Sequence, residues 1–402
     1  MKLVKMSLAA AVLLGASAFA LDNVKVSGDA KLFYGTDDQN PASLFDKGSS
    51  YADTALRVGA TGDLLKGVSF GVAGTAVSTL GLENNLVSNT WTGAHKAAVE
   101  DNGWISELWL ATTLGKTTAK VGRMSLDTPL AFSETWSIAA NTFDAAVLIN
   151  QDLPDTTLVG AWVGKSNGVD AANTSASGAD RDGIFRDGAV FGTFALKGAY
   201  AAAIVNNTFK PLVAQAWYYN VMDVADAYWL QADWDCQLIK GAKVGVQYAD
   251  MSPKGVGVAV AGSTDDSKAV AVKLAYAVDA LNVSAAYSDR NNNGGLKVQN
   301  VAASGQSKLY TESYWSYGYV GAADATAWNL TAEYTAKDIA KLGAYYTNVN
   351  TDRANKAGDL SEVAVTASKS FGPLDTTLAY INTKANNADS YNTIQAYLTL
   401  NF

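Results

Sequence analysis

The chain of 402 residues carries 30 Lys and Arg against 38 Asp and Glu, and its formal charge of −8 argues against nucleic-acid binding, which needs a basic face. One cysteine excludes an internal disulfide and a cysteine-cluster metal site, and one histidine excludes multi-histidine metal sites. Although 49% of the residues are hydrophobic, after the N-terminal segment no apolar run reaches the roughly 20 residues of a spanning helix. Soluble β proteins and membrane β-barrels remain, because only helices and closed barrels satisfy their backbone groups in lipid.

The first 20 residues have the three parts of a secretory signal peptide. Two lysines form a basic region, residues 6–15 form an apolar region, and Ala18-Phe19-Ala20 is a small-x-small cleavage site. We expect cleavage before Leu21, with a buried N-terminal helix as the alternative. The mature chain, residues 21–402, is then a single domain, and the loss of two lysines gives it a formal charge of −10.

The mature chain alternates apolar and polar residues at period two from its first strand to its last. In residues 24–34 the apolar side chains share one face, and the other face carries Lys25, Asp29 and Lys31. The final segment alternates in the same way and ends on Phe402. In a transmembrane barrel the apolar face meets lipid and the polar face lines a wet lumen. The edge strand of a soluble sandwich is the alternative for the last segment, and the signal peptide favours the membrane barrel.

The connections predict the number of strands. Eight are short and nine are long and polar, which gives an all-β, antiparallel, up-and-down barrel of 18 strands with the long loops outside the cell. Residues 213–221 can also be read as a strand; we place them in the fifth loop, because an even count returns both termini to the same side. Sixteen strands remain an alternative. The short connections are expected at 63–66, 115–116, 151–155, 197–198, 236–241, 279–280, 336–340 and 372–375.

The third loop, residues 124–141, is unusually apolar for a surface loop, and we expect it to fold into the lumen and narrow the pore. Its only charges are Asp127 and Glu134, and Asp144 in the next strand is expected to point inward. Carboxylates beside a narrow passage attract cations, so weak cation selectivity is predicted. Arg57 and Lys120 on the wall can face the acidic loop. The alternative is that Asp127 only caps a turn and Glu134 is solvated.

Short motifs carry a family resemblance. The start MKLVKMSLAAA, residues 120–128 (KVGRMSLDT) and the terminal LTLNF resemble the major outer-membrane protein of campylobacters, and residues 123–144 are more distantly similar to the substrate-specific porins of pseudomonads. The ending on Phe402 resembles the assembly signal of bacterial outer-membrane proteins. The resemblance implies a homotrimeric, 18-stranded channel for ions and small hydrophilic solutes, surrounded by outer-membrane lipid and lipopolysaccharide. Such a channel requires no cofactor. The resemblance also implies a possible calcium site, with the Leu126 carbonyl, Asp127 and Asp144 as ligands by position.

Two other classes of function compete with the passive channel. A barrel enzyme would need a nucleophile with a base, and His95 has no evident partner in the sequence, so no enzyme is expected. A surface-adhesion or structural protein could use the long loop Arg290–Thr326, which is rich in tyrosine and tryptophan.

Overall fold

The structure is a computed structural model that describes residues 21–39, 43–82, 86–87, 101–136, 138–168, 190–302, 305–352 and 357–402. The predicted signal peptide, residues 1–20, and His95 lie outside this part of the chain. Strands dominate the described residues, which also include a short helix, α1 (Val256–Ala261), and a 3-10 turn at Lys47–Ser49. None of the described helices is long and apolar enough to cross a membrane.

Eighteen strands form a closed antiparallel barrel, as predicted, and a nineteenth strand of two residues, β8, pairs only with β7. Each barrel strand pairs with its neighbours along the chain, and β1 pairs with β19 to close the ring. The strands are β1 (Asp22–Asp37), β2 (Ser50–Leu65), β3 (Val68–Ser78), β4 (Asn102–Leu114), β5 (Thr117–Met124), β6 (Phe143–Asn150), β7 (Thr156–Ser166), β8 (Gly192–Thr193), β9 (Ala199–Asn206), β10 (Leu212–Val221), β11 (Ala225–Asp235), β12 (Ala242–Pro253), β13 (Ser267–Val278), β14 (Leu281–Arg290), β15 (Thr326–Ala336), β16 (Ala340–Asn350), β17 (Leu360–Phe371), β18 (Leu374–Ala385) and β19 (Tyr391–Asn401).

The predicted count is right, but two of its elements are wrong. Residues 212–221 form the strand β10, which the sequence analysis placed in the fifth loop. The predicted turn at 197–198 lies on the long-loop rim, where Met222 N–H donates to the Gly198 carbonyl. A short turn on the opposite rim joins β9 to β10 instead. The two errors cancel in the count. The predicted turn at 197–198 implied a barrel strand just before it, and the structure has only the two-residue β8 there.

The two faces of the wall follow from strand alternation. On the outer face, large apolar side chains are exposed where lipid covers a transmembrane barrel. They include Leu110, Val121, Leu148, Val272, Leu330, Val365 and Leu398. The inner face carries charged and polar side chains on β1, β2, β4 and β5, but on β6, β7 and β9–β11 it carries many apolar ones. There the lumen side packs against loops that fold inside the barrel.

The barrel closes where the last residue of the chain meets β1. Gly28 N–H donates to the Phe402 carbonyl at 2.7 Å, and Phe402 N–H donates back to the Gly28 carbonyl at 3.0 Å. The Phe402 ring lies over Gly28, so a Cβ added at Gly28 would meet that ring at 2.5 Å. Glycine is therefore required at this position for the terminal ring to pack on the outer face. A role of Phe402 as an assembly signal stays a prediction.

Within the described part of the chain, two connections from the long-loop rim fold into the lumen. They are the third loop, residues 125–142 between β5 and β6, and the seventh loop, residues 291–325 between β14 and β15. Leu130 of the third loop and Leu309 and Val320 of the seventh loop are buried in one apolar cluster with wall side chains such as Trp229. The apolar core of this barrel is therefore inside it, at the level where the two loops meet.

Candidate pore constriction

A side-chain amide of the seventh loop joins the two inward loops. Asn300 is fully buried; its Nδ2 donates to the Phe132 carbonyl at 2.9 Å, and its Oδ1 accepts the Phe132 N–H at 3.2 Å. Val301 N–H also donates to the Leu130 carbonyl at 2.9 Å. Hydrogen bonds therefore connect the third loop to the seventh loop, much as they connect neighbouring strands of a sheet. The two loops form one body inside the lumen.

Glu134 lies within this contact and not on the pore surface. It is 5% exposed, and its carboxylate accepts from Asn300 Nδ2 at 2.9 Å, from Gln306 N–H at 2.9 Å and from Trp136 Nε1 at 2.7 Å. A buried carboxylate without such donors would be strongly destabilising. Glu134 therefore holds the loops together, whereas the sequence analysis expected it to line the constriction.

Asp127 is the carboxylate of the third loop that reaches water. Its side chain is 86% exposed and forms an ion pair with Lys308 of the seventh loop. The Lys308 ammonium also lies 4.7 Å from the centre of the Phe132 ring. Asp127 and Lys308 thus form a second, exposed link between the two loops, and they place one charge of each sign at the constriction.

The lumen side of β2, β4 and β5 has a cluster of charges around Trp109, which we call the wall cluster: Arg57, Glu107, Trp109 and Lys120. Arg57 Nη2 lies 2.6 Å from Glu107 Oε1, and Trp109 Nε1 donates to Glu107 Oε2 at 3.2 Å. The Lys120 ammonium lies 3.9 Å from the centre of the Trp109 ring, a cation–π contact. The structure places Arg57 and Lys120 on the lumen side, where the sequence analysis expected them.

Trp109 can lie flat on the wall because its neighbour on β3 is a glycine. A Cβ added at Gly71 would be 2.3 Å from the indole ring. The side chains of the wall cluster remain partly exposed, with 35% of the Arg57 side chain and 20% of the Glu107 side chain accessible. Both signs of charge are therefore available to a solute in the lumen.

Asp144 does not point into the lumen, so this prediction is wrong. It pairs in register with Arg123 of β5, and the two side chains form hydrogen bonds of 2.7 and 3.1 Å. On β6 it alternates with the buried Phe143 and shares a face with the exposed Leu148. The prediction assumed that the apolar side of β6 meets lipid. That side instead packs against the inward loops, which reverses the assignment of the two faces.

The three predicted calcium ligands are not brought together. The Leu126 carbonyl accepts Ser133 N–H at 2.8 Å, Asp127 is paired with Lys308, and Asp144 is paired with Arg123 on the outer face. No group of three or more His, Cys, Asp or Glu side chains that could hold a metal ion is found among the described residues. These contacts do not fit a calcium ion, and calcium binding stays a prediction from the family resemblance.

The part of the seventh loop in the constriction was not predicted from the sequence. Asn300 and Lys308 contact the third loop, and Tyr310 Oη donates to Asp233 of the wall at 2.6 Å. Trp315 N–H donates to Glu362 of β17 at 2.9 Å. The sequence did contain a signal for this position. A loop so rich in aromatic residues would be unfavourable on the surface, which is the argument that placed the third loop in the lumen. Its aromatic residues pack inside the barrel, which removes the observation that suggested adhesion.

These features define the class of protein: a transmembrane β-barrel whose lumen is narrowed by its own loops. The sequence profile of the Gram-negative porin family matches residues 7–399, so the chain belongs to that family. No curated protein matches the sequence significantly.

Crystal structures of Pseudomonas aeruginosa channels share the fold. OccK8 (OprE) is 17% identical with a TM-score of 0.71, and OpdK crystallised with vanillate is 13% identical with a TM-score of 0.72; each alignment covers 94% of this chain and 98% of the other. OccK3 (OpdO) is 15% identical with a TM-score of 0.70, over 94% of this chain and 96% of the other. At these identities the likeness shows the fold alone. The more specific resemblance to the campylobacter protein stays a prediction.

Membership of the porin family makes this protein an outer-membrane channel for small solutes, in a family of non-enzymatic channel proteins. The wall cluster and the two joined loops are its candidate constriction.

Proposed function

We propose that this porin is a passive diffusion channel for ions and small hydrophilic solutes, with weak selectivity for cations. The observation that carries the proposal is the contact of the third and seventh loops at Asn300, inside a barrel whose lumen wall keeps partly exposed charges. A barrel of 16–18 strands encloses an aqueous channel. The joined loops narrow this channel without removing its polar lining.

The selectivity is proposed to depend on carboxylates that face the lumen. Asp127 is the most exposed of them at the loop contact, and the wall adds Asp29, Glu107, Asp233 and Glu333. Lumen cations such as Lys31, Arg57 and Lys120 oppose this preference, which is why we expect it to be weak. The field across the passage is then transverse, with the loop carboxylate on one side and the basic wall side chains on the other.

The native assembly is proposed to be a homotrimer surrounded by outer-membrane lipid and lipopolysaccharide, with the long loops outside the cell. Porin family membership supports this assembly. Chemical cross-linking of the detergent-purified protein should give a trimer, and a monomer at all protein concentrations would contradict it.

Reversal potentials across a KCl gradient in planar bilayers test the selectivity. We expect a positive K⁺ preference in the wild-type channel and a smaller one in Asp127→Asn. The change should be modest, because an exposed charge contributes about 1 kcal/mol or less. Asp144→Asn is the matched control: it removes the same charge from the outer face and should leave the reversal potential unchanged. Anion preference in the wild type, or equal effects of the two variants, would contradict the proposal.

A further inference from the structure

The rim opposite the long loops, which we call the short-turn rim, exposes large apolar side chains. Seven of its eight connections carry one, in the turn or at the end of the preceding strand; only the connection at residues 279–280 does not. Their exposed fractions run from 52% for Leu153 to 92% for Leu238. We call them the apolar turn ring: Leu65, Leu114, Leu153, Phe209, Leu238, Ile339 and Phe371. Exposed apolar groups repeated in this way indicate a surface that is covered in the native protein.

The apolar turn ring continues the outer face of the wall to the ends of the strands and past them. Phe371 follows the exposed Val363 and Val365 on the outward side of β17. Tyr334 faces outward two residues before the end of β15, and Ile339 lies in the turn after that strand. Outward tyrosines near strand ends mark the membrane interface in a transmembrane barrel. The ring therefore lies at the level of the lipid headgroups.

Exposed lysines accompany the apolar turn ring. Six of its seven members have one within two residues in sequence: Lys66, Lys116, Lys210, Lys240, Lys337 and Lys369. The Lys369 ammonium lies 5.3 Å from the centre of the Phe371 ring, and Lys210 pairs with Asp155. Within the described part of the chain, the other four form no ion pair. A lysine stem can lie along an apolar surface while its ammonium reaches a phosphate.

The strands β10–β13 end differently at the long-loop rim. Tyr218 Oη donates to Asp226 Oδ1 at 2.9 Å, and Lys254 Nζ lies 2.7 Å from the same oxygen. Tyr248 Oη donates to Asp250 Oδ2 at 2.9 Å. These outward strand ends finish in polar groups that bond to each other, whereas the strand ends of the short-turn rim finish in apolar side chains. The two rims are therefore built for different surroundings.

The distribution of the apolar turn ring indicates what covers it. Its members belong to hairpins from β2–β3 to β17–β18 and so surround the barrel. A protein partner contacts one sector of such a ring, whereas a lipid leaflet contacts the whole circumference. We propose that the ring docks the barrel into a glycerophospholipid leaflet, with its apolar side chains at the boundary of headgroups and acyl chains and its lysines on the lipid phosphates. This inference rests on the proposed orientation, with the long loops outside the cell.

Spin labels on single cysteines measure the depth of the ring in the full-length protein, reconstituted in vesicles of phosphatidylcholine and phosphatidylglycerol. Leu238→Cys and Ile339→Cys are made in a Cys236→Ser background, because Cys236 lies in the same turn as Leu238. We expect both labels to collide more often with oxygen, which concentrates in lipid, than with a water-soluble nickel chelate. Asp265→Cys, at an exposed polar position between β12 and β13, is the control and should show the opposite ratio. Turn labels as open to the nickel chelate as the control label would overturn the inference.

A pair of lysine variants tests the phosphate contacts. Lys240→Gln combined with Lys337→Gln should shift the difference in unfolding midpoint between phosphatidylglycerol and phosphatidylcholine vesicles toward phosphatidylcholine, because two contacts with an anionic surface are lost. Lys31→Gln combined with Lys273→Gln is the matched control: both lysines lie on the lumen side, and the wild-type difference should be kept. Inorganic phosphate added to phosphatidylcholine vesicles should not replace phosphatidylglycerol. Equal shifts in the two double variants, or an equal effect of inorganic phosphate, would overturn the assignment of these lysines to lipid phosphate.

The labelling experiment separates this inference from the proposed function, because it needs no open channel. A protein that forms channels while its turn labels stay in water overturns the docking surface alone. A protein whose turn labels lie in lipid but which opens no channels overturns the proposed diffusion channel alone.

Discussion

On the lumen wall, Glu107 lies 2.6 Å from Arg57 and both side chains stay partly exposed, whereas in the third loop Glu134 is 5% exposed and accepts from an amide side chain, a backbone N–H and an indole. On the wall the carboxylates are paired with cations, whereas most carboxylates of the two loops accept hydrogen bonds from neutral donors. Charges that remain hydrated act on passing ions, because they keep their full charge in an aqueous lumen. Buried and neutrally bonded carboxylates instead fix the shape of the constriction.

We therefore assign ion selectivity to the wall together with Asp127, and pore size to the buried contacts of the two loops. Variants of the wall cluster should therefore change ion preference at nearly constant pore size. Variants of the loop contact should change conductance. The barrel itself supports both, and its closure is the feature with the largest expected effect.

Gly28→Val should prevent barrel closure. Its Cβ would lie 2.5 Å from the Phe402 ring and 2.4 Å from the Arg57 carbonyl oxygen, so the last strand could not pair with β1 without displacement. Overpacking of this kind costs about 1–3 kcal/mol, and here it acts at the closing pair. Heat-modifiable migration in electrophoresis measures the folded fraction, and we expect most of it to be lost.

Gly160→Ala is the control for closure. A Cβ at Gly160 meets no atom within 4 Å, so this variant should fold like the wild type. A normal folded fraction for Gly28→Val would show that the Phe402 ring is not needed where the barrel closes.

Arg57→Gln should raise the preference for cations without changing pore size. The variant removes one lumen cation and leaves the Glu107 carboxylate with Trp109 Nε1 as a donor. The expected change in free energy is about 1 kcal/mol or less, because the pair is partly exposed. Reversal potentials measure the change, and single-channel conductance in the same bilayers checks that the pore size is kept. A shift toward anions would contradict the assignment of selectivity to the wall.

Much of the barrel could be predicted from sequence because period-two alternation is local and repeats in every strand. β1 pairs with the segment that ends at Phe402, as the predicted closed up-and-down barrel requires. The third loop was found because its apolar composition is unfavourable on a surface. The fold therefore follows from signals that each strand or loop carries by itself.

Asp144 and β10 show where such local signals fail. Both lie where the inner face of the wall packs against loops, so apolar side chains occupy the lumen side: Phe143 on β6, and Trp217 and Tyr219 on β10. The rule that the apolar face of a strand meets lipid therefore assigns Asp144 to the wrong face. It also fails to identify β10 as a strand. The loop contacts that cause these exceptions join residues far apart in sequence. Asn300, for example, is more than 150 residues away from its partner in the third loop.

The most direct test of the account is the single-channel conductance of Asn300→Ala compared with the wild type. The variant leaves the Phe132 N–H and carbonyl and the Glu134 carboxylate without Asn300, and each lost buried partner costs about 1–3 kcal/mol. We predict a folded barrel with a higher conductance and passage of larger neutral polymers, because the two loops separate. A folded variant with the wild-type conductance would contradict the claim that their contact sets the bore of the channel.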